Sequence, residues 1–168
     1  GDPSIPASQL PGQIPTNIGS LVNLDSLIIT NHGTLNGNIP WEIGNLNSLQ
    51  YLELAENSLE GNIPWEIGNL SNLTQLRLNG NRLWDEIPEH LWNLTNLTYL
   101  DLSQNELQGC CMPPMIENLS QLEHLYFQEN QFRGPIPPQI GDLTNLITLK
   151  ANDNYNGYDE QTGLTGEI

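Results

Sequence analysis

Three consecutive stretches of this chain share one 24-residue pattern: LNGNIPWEIGNLNSLQYLELAENS from Leu35, LEGNIPWEIGNLSNLTQLRLNGNR from Leu59 and LWDEIPEHLWNLTNLTYLDLSQNE from Leu83. A fixed period of this length builds a stack of one supersecondary unit, because a single unit cannot bury its apolar face alone. It excludes a globule folded around one centre. Function is thereby restricted to what an elongated solenoid can do.

Aligned on this pattern, repeats begin at Leu10, Leu35, Leu59, Leu83, Leu107 and Phe132, and a partial one begins at Leu164. The template is L-x-G-x-I-P-x-x-I-G-x-L-x-x-L-x-x-L-x-L-x-x-N-x. Within it, Tyr51-Leu52-Glu53-Leu54-Ala55 alternates with the period of two that marks a strand, Leu52 and Leu54 inward and Tyr51, Glu53 and Ala55 outward. The Asn that follows (Asn57, Asn81, Asn105, Asn130, Asn154) stands where the chain must turn, and its side chain can satisfy backbone groups of its own and the neighbouring repeat. The G-x-I-P stretch extends again, because Pro disfavours helix in the residue before it. The short I-G-N-L stretch that follows reads as a 3₁₀ turn.

This pattern resembles the leucine-rich repeat, in the plant-type subclass marked by the L-x-G-x-I-P insertion, over residues 10–154. The resemblance implies an α/β solenoid, mostly β, wound right-handed. Its parallel sheet would line the concave side, a short second sheet one flank, and 3₁₀ turns the convex side. The subclass is known from plant extracellular receptors and polygalacturonase inhibitors, with similar repeats in secreted microbial proteins. Residues 1–9, GDPSIPASQ, lack the cysteine-paired cap of the plant members. The expected organisation is one domain over residues 1–168: an irregular start at 1–9, repeats at 10–154, a loop at 155–163 and the partial repeat at 164–168.

The template also shows what is irregular. Repeat one carries an extra residue near His32. Repeat four replaces Gly-x-Ile by Asp85-Glu86-Ile87 and a later Gly by Trp92. Repeat five reads Gly109-Cys110-Cys111-Met112, one residue longer. Adjacent cysteines form only a strained bridge with each other, so free thiols, a vicinal or interchain disulfide, and metal binding all stay open. In repeat six Ala151 replaces a core Leu.

Twenty acidic residues against four basic ones give a net charge of −16. Such a surface repels nucleic acid and anionic lipid. Apolar runs fall far short of a membrane span, so no membrane insertion is expected. Asn152-x-Asn154-x-Asn156-Gly157 imitates the front of a calcium loop, but Asn152 replaces the leading Asp and Gly163 stands where a bidentate Glu is needed. It reads as a polar surface loop, so no calcium, other metal or cofactor is expected. His32, His90 and His124 occupy different template positions without a nucleophile nearby, and the chain is read as a non-enzyme.

The concave face carries the candidate binding residues Tyr51, Glu53, Arg77, Tyr99, Asp101, His124, Tyr126 and Lys150, several of them types that carry interface energy. Its outward rows contain no regular Thr array, which argues against ice binding. Trp41 and Trp65 share one template position, and with Trp84 and Trp92 they are expected to form an exposed lateral interface. Sequons at Asn69, Asn72, Asn93, Asn96 and Asn118 arise from the repeat's own wording and fit a secreted glycoprotein. The array ends inside a repeat and without caps, so Leu10, Ile14, Leu164 and Ile168 are candidate end-stacking residues. The main expectation is an extracellular or cell-surface module that binds another protein through its concave face. Head-to-tail assembly with further copies of itself is one alternative, and inhibition of a polysaccharide-degrading enzyme is another.

Overall fold

Alternating Leu residues of each repeat form short strands because only one of their two faces meets the core. The computed structural model describes residues 12–31, 33, 35–109, 112–154 and 164–165. Strands follow in chain order as β1 (Ser26–Ile28), β2 (Asn36–Asn38), β3 (Tyr51–Glu53), β4 (Ser58–Gly61), β5 (Gln75–Arg77) and β6 (Arg82–Asp85). After these come β7 (Tyr99–Asp101), β8 (Glu106–Gly109), β9 (His124–Tyr126), β10 (Gln131–Phe132), β11 (Gly134–Pro135), β12 (Thr148–Lys150) and β13 (Leu164–Thr165).

Strands β1-β3-β5-β7-β9-β12 form a six-stranded parallel sheet, and β10-β8-β6-β4-β2 form a five-stranded parallel sheet from the L-x-G-x-I-P stretch. A third parallel pair joins β11 to β13, with Gly134 opposite Leu164. Register steps by one repeat: Tyr51 faces Gln75, Gln75 faces Tyr99, Tyr99 faces His124 and His124 faces Thr148. Six five-residue 3₁₀ turns close the other side, at Thr16–Ser20, Trp41–Asn45, Trp65–Asn69, Glu89–Asn93, Pro114–Asn118 and Pro138–Asp142. Each is preceded by an extended Pro, which cannot donate a backbone hydrogen bond and starts the turn cleanly. The fold is mostly β with 3₁₀ turns, as the repeat implied.

Leu and Ile of every repeat meet in one continuous core, from Ile14 to Leu143. The ladder Asn residues run along it. Asn105 Nδ2 donates to Leu78 O, Leu102 O and Ser103 O at 3.0, 3.2 and 3.0 Å, and its Oδ1 accepts from Leu83 N–H at 3.0 Å. Asn81 and Asn130 repeat the arrangement one rung to either side. The residue before the ladder Asn turns through the left-handed region: Glu56, Gly80, Gln104, Glu129 and Asp153 all have φ between 54° and 66°. Only Gly80 adopts it without strain, so the others give up a little stability to make the corner.

Turn glycines let successive repeats touch. A Cβ on Gly44 would lie 2.5 Å from the Glu66 carbonyl oxygen, and one on Gly68 would lie 2.7 Å from His90 Cβ. Trp92 holds the same position in repeat four and corrects the expectation of an exposed tryptophan there. Its ring is 1% exposed, inside the core, and its indole N–H has no partner among the described residues. The physical reason is template phase: this position faces the next turn, whereas the Trp41 position faces outward. Ala55 and Ser103 stand in the outward rows of the template and are likewise buried, at 5% and 3%.

Candidate functional site

The concave sheet places one outward residue of each strand beside its counterpart on the next, about 4.8 Å away. Four adjacent strands use this spacing to build a connected cluster. On β5, Arg77 lays its guanidinium carbon 4.2 Å from the centre of the Tyr99 ring on β7. Tyr99 in turn packs at 5.4 Å against both His124 and Tyr126 of β9, and those two rings stack at 6.4 Å with 13° between planes. Lys150 on β12 ends the row, its Nζ 5.5 Å from the Tyr126 ring centre. Cations held over aromatic faces are stabilised by the ring quadrupole, by about 0.5–1 kcal/mol at exposed sites.

Polar neighbours hold this row in place. Arg77 pairs with Glu53 at 4.0 Å and donates to Gln75 Oε1 at 3.4 Å, while its Nε is buried with no partner among the described residues. Asp101 accepts from Ser103 Oγ at 2.6 Å and from Ser103 N–H at 3.0 Å. His124 Nδ1 lies 3.2 Å from Thr148 Oγ1. Burial, and then the nearby Asp101 carboxylate, push the Tyr99 phenol above its ordinary value against the opposing pull of Arg77. Tyr51 and Glu53 sit apart from the rings, beside a shallow cavity of about 140 Å³ that Ile28 and Arg77 help to line.

All eight concave candidates therefore lie on one sheet, and six of them (Arg77, Tyr99, Asp101, His124, Tyr126, Lys150) sit side by side on β5 to β12. Gln75, Thr148 and the 57% exposed Ile28 belong to the same surface. They stand in the outward rows, and that position was the signal available for them. The arrangement offers stacking surfaces and paired charges. Such a surface can grip a ligand.

The other candidates separate. Trp41 and Trp65 open successive 3₁₀ turns at 56% and 52% exposure and share a groove of about 550 Å³. The Trp65 ring packs 5.1 Å from His90. Trp84, 51% exposed, lies on β6 in the second sheet rather than in that turn row. Asn69, Asn72, Asn93, Asn96 and Asn118 are all exposed. Asn72 and Asn96 already donate to Asn47 O and Ser71 O at 2.7 and 2.8 Å, a second ladder on the convex side. Ile14 is buried at 4% rather than displayed at an end. Leu10, Ile168, His32, Cys110, Cys111 and the loop 155–163 lie outside the described residues, and Leu164 is described only as the backbone of β13. Among the described residues no helix is long and apolar enough to cross a membrane, and no cluster of three His, Cys, Asp or Glu is placed to hold a metal.

Comparison with curated proteins returns no match. Among solved structures, a plant peptide hormone receptor, RGFR1 in complex with RGF2, is 37% identical with a TM-score of 0.78 over 84% of this chain. The ectodomain of the Arabidopsis thaliana receptor kinase GASSHO1/SCHENGEN3, in complex with CASPARIAN STRIP INTEGRITY FACTOR 2, is 40% identical with a TM-score of 0.79 over 84%. A plant ice-binding protein is 37% identical with a TM-score of 0.74 over 79%. The chain spans 23% and 17% of the two receptor chains and 42% of the ice-binding protein. The Leucine Rich Repeat family model matches at residues 48–70, 72–94, 96–119 and 121–143, more than half of the sequence. With two stacked parallel sheets and an Asn ladder behind those matches, the chain belongs to the leucine-rich-repeat family.

Proposed function

We propose that this chain is a non-catalytic, extracellular or cell-surface recognition module that binds an extended segment of another protein across its concave sheet. The connected row from Arg77 through Tyr99, His124 and Tyr126 to Lys150 carries the reading. Aromatic rings and Arg supply large contact area at low entropic cost, which is why interface energy concentrates in them. From Glu53 on β3 to Lys150 on β12 the row crosses four strand spacings, about 19 Å. At about 3.3 Å per residue, a peptide of roughly six residues covers it. The likeness to a plant peptide hormone receptor solved with RGF2, and to a receptor kinase ectodomain solved with CASPARIAN STRIP INTEGRITY FACTOR 2, supports this reading.

A displayed library of random peptides tests it with no partner chosen in advance. Wild-type protein should enrich a consensus, and Tyr99→Ala with Tyr126→Ala should weaken the enriched peptides about 30-fold per lost anchor of ~2 kcal/mol. Trp41→Ala, on the other side, should bind as wild type does. Equal binding by the tyrosine variants, with their fold intact, sinks the proposal.

A further inference from the structure

The departures from the repeat converge in space. Glu86, Trp92, Met112, Phe127 and Phe132 stand at positions held in repeats two and three by Asn, Gly, Ile, Leu and Leu. All five line a single cavity of about 240 Å³ between repeats four and five. Its origin follows from the turns. Gly44 and Gly68 bring one turn into contact with the next. Trp92 at the same position holds the turn of repeat five away, filling only part of the gap. Phe127 and Phe132 meet edge to face at 5.6 Å on the far wall. Interiors ordinarily close such voids, and this one is kept open by residues that the repeat does not require.

Its walls specify an occupant. Trp92, Met112, Phe127 and Phe132 are apolar and buried, whereas Glu86, Glu89 and Gln108 are the exposed polar members of the lining, so they form its mouth. No basic residue contributes among the described residues. A dry cavity of about 150 Å³ holds one benzene, and sites for drug-sized molecules start near 300 Å³. The volume here therefore fits about ten non-hydrogen atoms, a ring with a short arm. We infer that the cavity between repeats four and five binds a small aromatic amine, its ring among Trp92, Met112, Phe127 and Phe132 and its cationic end at Glu86 and Glu89.

Phenethylamine and phenylacetate, matched in size and opposite in charge, are the probes. Titration of the full chain at low salt is followed by the indole N–H resonances of the four tryptophans. Phenethylamine should shift Trp92 saturably and leave Trp41 and Trp65 in place, and it should bind about fivefold or more tighter than phenylacetate. Glu86→Gln with Glu89→Gln, both at exposed positions, should bring the two ligands to equal affinity. Ile87→Phe adds a ring to the cavity and should abolish the Trp92 shift. Should that variant fail to fold, the carboxamide pair still decides the question. A silent Trp92 with both ligands overturns the site. Equal affinities in wild type overturn the role of the carboxylates, and undiminished binding by a folded Ile87→Phe overturns the location.

Discussion

Replacing Asn105 by Ala isolates what one rung of the Asn ladder contributes. Its amide donates to three carbonyls, and each of them keeps another partner after the change: Leu78 O keeps Asn81 at 2.9 Å, Leu102 O keeps Asn130 at 2.9 Å and Ser103 O keeps Gly80 N–H at 3.1 Å. The carbonyls are therefore weakened and not orphaned. Leu83 N–H, in a fully buried residue, loses its acceptor, which costs about 1–3 kcal/mol. Two donated amide protons add a net of about 1 kcal/mol each, so the substitution should cost roughly 3–5 kcal/mol. Asn96→Ala is the matched control, because that side chain is exposed and makes one hydrogen bond, to Ser71 O. Its cost should be about 1 kcal/mol or less. With a urea slope of about 2–3 kcal/mol per M, the Asn105→Ala midpoint should fall by about 1 M or more. Circular dichroism read against urea measures both variants. A midpoint for Asn105→Ala no lower than that of Asn96→Ala would refute the view that the ladder bears the stack.

Other consequences can be tested by the same melts. Gly68→Ala drives a Cβ into the backbone of the following turn at His90, and an overpacked contact of this kind should cost about 1–3 kcal/mol. Gly141→Ala, whose Cβ would meet nothing within 4 Å, should be nearly neutral; equal losses at the two sites would show that turn spacing is not the constraint. Tyr99 titrates above its ordinary value in the folded chain, so the fold favours its neutral phenol. That contribution is complete below the unfolded value of about 10 and is lost as pH rises through the higher folded one. Tyr99→Phe should therefore lose less stability than wild type between pH 9 and 11, and an identical loss would contradict the assignment.

The repeat made the fold readable because each residue's template position dictates its direction. Leu52 and Leu76 face inward for the same local reason, the alternation of a strand, and the ladder Asn recurs because every repeat needs the same corner. The concave candidates were readable on that basis as well. Trp92 was not: as a tryptophan it groups with the exposed Trp41 and Trp65, while its own position, that of Gly44 and Gly68, points into the next turn. Ser103 also escaped. It stands in an outward row, yet its hydroxyl turns to Asp101 and is covered there.

By itself, then, the sequence determined the stack, its two sheets, the turns between them and the row of outward side chains, because all of these follow from a period that each repeat enforces locally. Which outward residues touch was decided only by the tertiary structure. The Arg77–Tyr99 stack and the Tyr99, His124 and Tyr126 cluster depend on side-chain directions across neighbouring strands, and no single repeat contains them. The same holds for the cavity behind Trp92. One bulky residue in place of a turn glycine sets the distance between two repeats, and the irregular positions of both then face the space left open.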